Sequence, residues 1–264
     1  MDSTEGARSF QTSGDAYDAF MGRYSRRLAV AFADAVGVTA GQSALDVGCG
    51  PGALTGVLVD RLGAGAVSAF DPSAPFVADC AARHPGVDVR NGRAEAIPFE
   101  DARFDRAMAQ LVLHFVSDPT RAASELRRVV RPGGIVAACV WDFVKGMTML
   151  RCFWDAALAV DPDAPDEART MRFGCEGEIT DLLDSAGFVD IAETMIDAAS
   201  TYEDFDELWA GFGAGIGPAG SFCVSLGDDQ RAAVRDELFL RLGSPAGPFT
   251  LVATARCAQG RVPG

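Results

Sequence analysis

Leu45-Asp46-Val47-Gly48-Cys49-Gly50-Pro51-Gly52-Ala53 is the stretch that decides the fold. The residues Ser43 to Val47 read as a short strand and Ala53 to Leu62 as a helix, with three glycines between them. Gly48, Gly50 and Gly52 permit positive φ and close backbone approach, so a ligand can lie against the turn and the helix N-terminus. Read loosely, Gly48-x-Gly50-x-x-Ala53 also satisfies the dinucleotide fingerprint. Charge separates the two readings. Asp46, two residues before the first glycine, is expected to point toward the ligand, where it repels a pyrophosphate and favours a cation. Asp71, 23 residues after Gly48, stands at the end of the next strand, a position for a carboxylate that accepts ribose hydroxyls.

Outward from this loop the chain alternates between helical and short apolar segments, the pattern of a parallel sheet wrapped by helices. A helix is expected over residues 15–36, then strand 43–47, helix 53–62, strand 66–70, helix 74–83 and strand 87–90. Strand 104–109 follows, and Asp118-Pro119 begins a helix that Pro132-Gly133-Gly134 closes before strand 135–141. Further helices are expected over 147–160, 178–186, 205–212 and 228–242, with strands at 188–195 and 249–257 and a glycine-rich loop at 211–221. The sum is one α/β domain over 15–264 after a loose tail, 1–14. It is a doubly wound, seven-stranded, mostly parallel sheet with helices on both faces. Ligands in such sheets bind outside the carboxyl ends of the strands, which directs attention to the loops there.

Composition narrows the partners. The 264 residues carry 23 Lys+Arg against 37 Asp+Glu, a formal charge of -14, which argues against nucleic acid or a membrane surface as a partner. Seven scattered cysteines without a C-x-x-C pair indicate neither a disulfide framework nor a zinc site, and fit a reducing cytoplasm. The first residues lack an apolar run, no stretch approaches a membrane span, and no acid cluster has metal-ligand spacing.

A cofactor with an ammonium, a sulfonium and free ribose hydroxyls but no phosphate suits two acids flanking a glycine turn. S-adenosylmethionine is such a molecule. The ordered blocks Leu45 to Thr55, Phe70-Asp71-Pro72-Ser73, Asn91 to Phe99, Phe104-Asp105 and Arg131-Pro132-Gly133-Gly134 resemble the class I S-adenosylmethionine-dependent methyltransferases. The likeness is to the type 11 group, similar to ubiquinone and menaquinone biosynthesis methyltransferases, and it covers roughly residues 40 to 142. It implies a Rossmann-like fold, with the core 41–142 holding the cofactor and segments 15–36, 143–175 and 205–225 capping the acceptor. It also implies that Asp46, Gly48, Cys49 and Gly50 meet the methionine and ribose end. Asp71 then binds the ribose, Pro72 and Ala94 flank the adenine, and Gln110 and Leu111 line the cofactor. Tyr17, Met21 and Arg23, in the opening helix, close over it. The family often has Asp where this chain has Arg93, so Glu95 or the Ala94 backbone would have to meet the adenine amino group.

Methyl transfer from a sulfonium is an in-line displacement at an activated carbon, so positioning dominates and a base is needed only for an acceptor that must lose a proton. His114, after the fourth strand, is the candidate base, although its place reads more readily as that of a packed, hydrogen-bonded histidine. His84 lies in a turn at the other edge, and Cys49 has no identifiable partner base. Gln110-Leu111-Val112-Leu113 is not the Asn/Asp-Pro-Pro-aromatic motif of nucleobase methyltransferases. The expected acceptor is a small metabolite taking the methyl on O, C or N. Its pocket draws on Phe143, Met147, Met149, Phe153 and Trp154, with the glycine-rich loop as a lid. Two other readings stand beside this one: the same cofactor fold used for a pericyclic, decarboxylating or hydroxylating step, and an NAD-dependent oxidoreductase.

Overall fold

The computed structural model describes residues 18–264; the 1–14 tail, the start of the first helix and Tyr17 lie outside the described residues. Seven strands form one sheet: β1 (Ala44–Val47), β2 (Val67–Asp71), β3 (Asp88–Asn91), β4 (Phe104–Gln110), β5 (Val130–Trp141), β6 (Val189–Tyr202) and β7 (Phe249–Arg261). Their order is β3-β2-β1-β4-β5-β7-β6, with β7 alone antiparallel to its neighbours. The order reverses between β1 and β4, and the crevice that ligands use in such sheets opens there. Every residue of β1 and β2 is buried, as expected of central parallel strands covered on both sides.

The helices are α1 (Arg23–Ala35), α2 (Ala53–Leu62), α3 (Ala74–Arg83), α4 (Pro119–Val129), α5 (Thr148–Val160), α6 (Glu167–Thr170), α7 (Glu178–Ser185), α8 (Phe205–Gly213), α9 (Gly217–Ser225) and α10 (Asp228–Arg241). A π-turn, Asp18–Gly22, leads into α1 where one continuous helix was expected. The N-cap of α4 is the expected one: the Asp118 carboxylate accepts from the Arg121 N–H, and Pro119 occupies the first turn.

Three regions depart from the sequence pattern. β6 and β7 run to Tyr202 and Arg261 because they pair as one long antiparallel arm, in register from Ala192↔Gln259 to Tyr202↔Phe249. The segment 196–202 alternates burial with exposure, which its polar Asp, Ser and Thr residues disguise. β5 starts at Val130, since Gly133 and Gly134 stay in the ladder by bonding Val262. The glycine-rich stretch expected as a lid loop forms helix α9, with Pro218 in its first turn and Ala219, Gly220 and Cys223 buried.

α5, α8 and α9 join the π-turn through an aromatic cluster. Phe153 stacks on Phe212 at 4.2 Å between ring centroids, Phe20 meets Phe212 edge-on at 5.2 Å, and Trp154 meets Phe222 at 5.4 Å. Below it Tyr202 donates to the Tyr24 hydroxyl at 3.1 Å, fixing α1 to the long arm. Phe212→Ala removes the ring shared by Phe20 and Phe153. We expect it to cost about 3–5 kcal/mol in urea denaturation, whereas Val224→Ala, at an exposed position of α9, stays within about 0.5 kcal/mol of the parent.

Candidate cofactor and acceptor site

The glycine loop closes as its sequence demands. Gly48, Gly50 and Gly52 have φ of 68°, 52° and 99°, a conformation that strains any side chain. A Cβ on Gly48 would stand 2.7 Å from Val112 and one on Gly52 2.6 Å from the His84 ring, while Gly50 has open space beside it. The amides of Gly48 and Cys49 both donate to the Phe70 carbonyl, at 2.9 and 3.0 Å, which ties the loop to the end of β2.

Asp71 completes that tie. Its two carboxylate oxygens accept the Gly50 N–H at 2.9 Å and the Ser73 N–H at 2.8 Å. Burial raises its pKa, opposed by those two amide bonds. Each oxygen keeps a lone pair for a further donor. Asp46 does otherwise than the sequence suggested. It is buried and accepts from the Thr55 hydroxyl at 2.6 Å, so it anchors the first turn of α2 from below. Burial pushes its pKa up to about 7, the Thr55 bond opposes, and the neighbouring Asp71 charge adds to the rise. The charge argument against a pyrophosphate therefore passes to Asp71, which occupies the Gly50 amide that a phosphate would need.

His84 also acts at the loop. Its Nε2 lies 3.0 Å from the Gly52 carbonyl and its ring covers Gly52 and Gly56, so a turn residue at the far edge in sequence steadies the start of α2. Cys49 packs, buried, with Ala69 and Cys80. Pro72 is exposed and Ala94 buried at the rim where the adenine is expected. Glu95 accepts from the amides of Ser117 and Asp118 at 3.0 and 3.3 Å, and so steadies the loop before α4. Arg93 lies 3.7 Å from that carboxylate. Gln110 donates to the Ser25 carbonyl at 2.9 Å, whereas its Oε1 is buried without a partner among the described residues. Leu111 holds φ at 60°, a strained conformation for a leucine, at the end of β4. Arg23 pairs with Glu207 at 2.5 Å and lies over the Tyr202 ring, which joins α1 to α8.

This cradle fits S-adenosylmethionine. Gly50 leaves bare backbone for close approach, Asp71 offers oxygens to hydroxyls, and the orphaned Gln110 Oε1 is an acceptor suited to an ammonium.

Beyond Leu111 opens a cleft of about 480 Å³ including its mouth. Phe20, Met21, Phe115, Trp141, Phe143 and Ile216 form most of its wall. Two ionisable groups face it, His114 and Glu167. His114 lies in the short turn Leu113–Phe115, with its ring 4.0 Å from Phe115 and 5.5 Å from Phe143. Burial, reinforced by the Arg172 charge, lowers its pKa to about 3. The ring is neutral at pH 7 and its Nδ1 is buried without a partner among the described residues. This environment keeps His114 a neutral hydrogen-bonding group and weakens it as a base. Glu167 was missed by sequence reasoning. It sits at the start of α6, buried, and accepts the Trp154 Nε1–H at 2.7 Å. Burial pushes it up to about 7. A Glu in a polar Asp-Pro-Asp-Ala-Pro-Asp-Glu run reads as solvated, and no signal in the sequence marks its burial.

Residues 45–138 match the methyltransferase domain family. Over that segment the chain is similar to the methyltransferase domain family, as the blocks from Leu45 to Gly134 led one to expect. The chain spans about a third of the length of the curated relatives it matches most strongly there. One is the malonyl-acyl-carrier-protein O-methyltransferase of Pseudescherichia vulneris, 41% identical over 96 residues, 36% of this chain and 37% of that protein. Along nearly the whole length, 93% of this chain and 94% of the relative, it is 28% identical to the nocamycin O-methyltransferase of Saccharothrix syringae. A solved structure from Anaeromyxobacter dehalogenans, classed as a type II methyltransferase, superposes with a TM-score of 0.64 at 23% identity, covering 91% of this chain and 97% of that one. The shared fold accounts for the seven-stranded sheet.

The buried Asp46 sets a pH dependence. Its folded pKa of about 7 lies above the roughly 3.9 of an unfolded aspartate, so its contribution is fully present below about pH 4 and is lost as pH rises through 7. Glu167 acts in the same direction, and His114, neutral when folded, acts oppositely only as pH falls below about 6.5. Asp46→Asn keeps an acceptor for Thr55 and removes the titration. We expect the variant to gain stability relative to the parent between pH 5 and pH 8, measured by urea denaturation at both. A constant difference between the two proteins refutes the assignment.

Proposed function

We propose that this protein is an S-adenosylmethionine-dependent methyltransferase acting in the cytoplasm on a small-molecule acceptor, at an O, C or N atom. The observation that carries the reading is the Asp71 carboxylate on the Gly50 amide. It takes the donor that a dinucleotide pyrophosphate would use and offers oxygens to ribose hydroxyls in its place. The names of the relatives, two of them O-methyltransferases, support the same reaction class.

When bound, the cofactor supplies a methyl group on a sulfonium, a carbon already activated toward a nucleophile. The chain's own residues have to hold the two reactants in line and exclude water, an effect worth about 7–11 kcal/mol of barrier. Gly48, Gly50, Asp71 and Gln110 hold the cofactor, and Pro72 and Ala94 flank its adenine. Met21, Leu111, Phe115, Trp141 and Phe143 wall the acceptor. The strained Leu111 stands where the cofactor crevice at the end of β4 meets this cleft. The apolar wall and the net charge of -14 favour an uncharged metabolite over nucleic acid or a lipid surface. Among the described residues no helix is long and apolar enough to cross a membrane.

Calorimetric titration with S-adenosylmethionine and S-adenosylhomocysteine, on the parent and Asp71→Ala, tests this. Micromolar binding to the parent, at least tenfold weaker in the variant, is expected, with NADH giving no heat. Accumulation of S-adenosylhomocysteine in the presence of an acceptor then distinguishes methyl transfer from a non-methylating use of the site. Binding of NADH instead of either sulfur ligand overturns the reading.

A further inference from the structure

We propose that Glu167 is the proton acceptor for a hydroxyl-bearing, uncharged aromatic or alicyclic acceptor bound in the cleft beyond Leu111. The inference rests on the methyltransferase reading and narrows it from any O, C or N atom to a weakly acidic O–H.

The argument begins with what lines the cleft. Its wall is aromatic and aliphatic, and among the described residues Glu167 is the one acidic group lining it, with no arginine or lysine beside it. A phosphate or carboxylate on the acceptor would meet that carboxylate without a counter-charge. An apolar molecule without polar atoms would leave the polar groups of the wall unmatched. Trp141 and His114 each carry a ring nitrogen that is buried and unpartnered among the described residues. Among the described residues the Glu167 carboxylate accepts one side-chain hydrogen bond, on Oε2 from Trp154 Nε1–H. A hydroxyl is donor and acceptor at once, so it can give its proton to a carboxylate while its oxygen accepts from an N–H. An ammonium, having no acceptor, satisfies only half of this set.

The groups around Glu167 are few. Trp154, on α5, donates to it. Asp166, next in the chain, is held by Arg151 of α5 at 3.0 Å and by the Ala168 amide at 3.0 Å. Arg151 also pairs with Asp155 at 2.8 Å. His114 stands on the cleft from the β4 side, and the nearby Arg172 donates to the Val116 carbonyl. Among the described residues Glu167 forms no ion pair: burial, the largest effect, raises its pKa, and the Trp154 bond and the Arg151 charge, itself engaged by Asp155 and Asp166, only partly oppose it. His114 stays neutral, so it can orient an acceptor without competing for its proton.

The balanced step follows. The acceptor's O–H bond breaks as the proton passes to Glu167, and the freed oxygen pair forms a bond to the methyl carbon. The carbon–sulfur bond breaks with its electrons kept on sulfur. The proton on Glu167 is released to solvent when product leaves.

The test uses 4-methylphenol as probe with S-adenosylhomocysteine present, and it reads Trp154 fluorescence, since the indole is bonded to the titrating carboxyl. In the parent, emission is expected to titrate near pH 7, and saturating probe to lower that midpoint by about one pH unit. Probe affinity then rises roughly tenfold from pH 5.5 to pH 8.5, as for a hydrogen bond made preferentially to the charged carboxylate. Glu167→Gln abolishes both the titration and the pH dependence of affinity. Trp154→Phe removes the reporter and one hydrogen bond to the carboxylate, so the same rise in affinity moves to higher pH; this keeps the test decisive if the Gln variant does not fold. A probe affinity independent of pH in the parent, an unmoved midpoint, or failure of the probe to bind while S-adenosylhomocysteine binds overturns the proposal and leaves the cofactor reading standing. Tighter binding of benzylamine than of 4-methylphenol overturns the hydroxyl class. Failure of S-adenosylhomocysteine itself overturns the reading beneath both.

Discussion

The bond from the Gly50 amide to the Asp71 carboxylate joins the two loops on which the site is built. Without it the hydrogen bonds from the glycine turn after β1 to the end of β2 reduce to those on the Phe70 carbonyl, and three left-handed glycines at alternate positions lose a main restraint on their conformation. The same carboxylate caps Ser73 and so aims the first turn of α3. A charged group is buried here because the backbone supplies two donors to it, which offsets much of the desolvation. The remaining lone pairs leave this structural tie with acceptor capacity to spare.

The acids and the histidine of this half-molecule are separated in role by surroundings more than by type. Asp71 receives two amides at the crevice. Asp46, one strand away, receives a single hydroxyl and sits near half-protonation at neutral pH. Across the cleft, His114 is pushed toward the neutral form and Glu167 toward the protonated one by the same lack of water. One apolar space thus drives the pKa values of two titratable groups in opposite directions, which is how surroundings and not residue type set protonation at neutral pH.

The cofactor half was legible because its signal is local. Strand, glycine turn and helix are contiguous, and the elements from β1 to α4 lie within a residue or two of where hydrophobic period and caps place them. What failed there was direction. In a strand covered on both sides, the period of two does not say which side faces the ligand, so Asp46 could be read toward the crevice when it faces Thr55. Likewise His84 was assigned by its place in the chain, whereas its ring reaches Gly52 through the fold of α3 back onto α2.

The acceptor half was illegible for a different reason: its chemistry depends on distant pairs. Glu167 is buried only because α6 lies against Trp154, thirteen residues earlier. The glycines at 211–220 look like a flexible lid, but Pro218 and the small residues let α9 pack closely. A Cβ on Gly211 would stand 2.6 Å from Phe20 and one on Gly220 2.8 Å from the backbone of Gly215. Small residues here serve contact and not motion. That packing also brings Ile216 to Ala219 to the wall of the cleft, alongside Phe20 from the π-turn and Glu167 from α6. The pocket is thus assembled from segments nearly two hundred residues apart, each of which buries its apolar side only when the others are in place. Its shape is therefore coupled to the stability of the cap, whereas the glycine loop is held by bonds with Phe70, Asp71 and His84, all within forty residues of it.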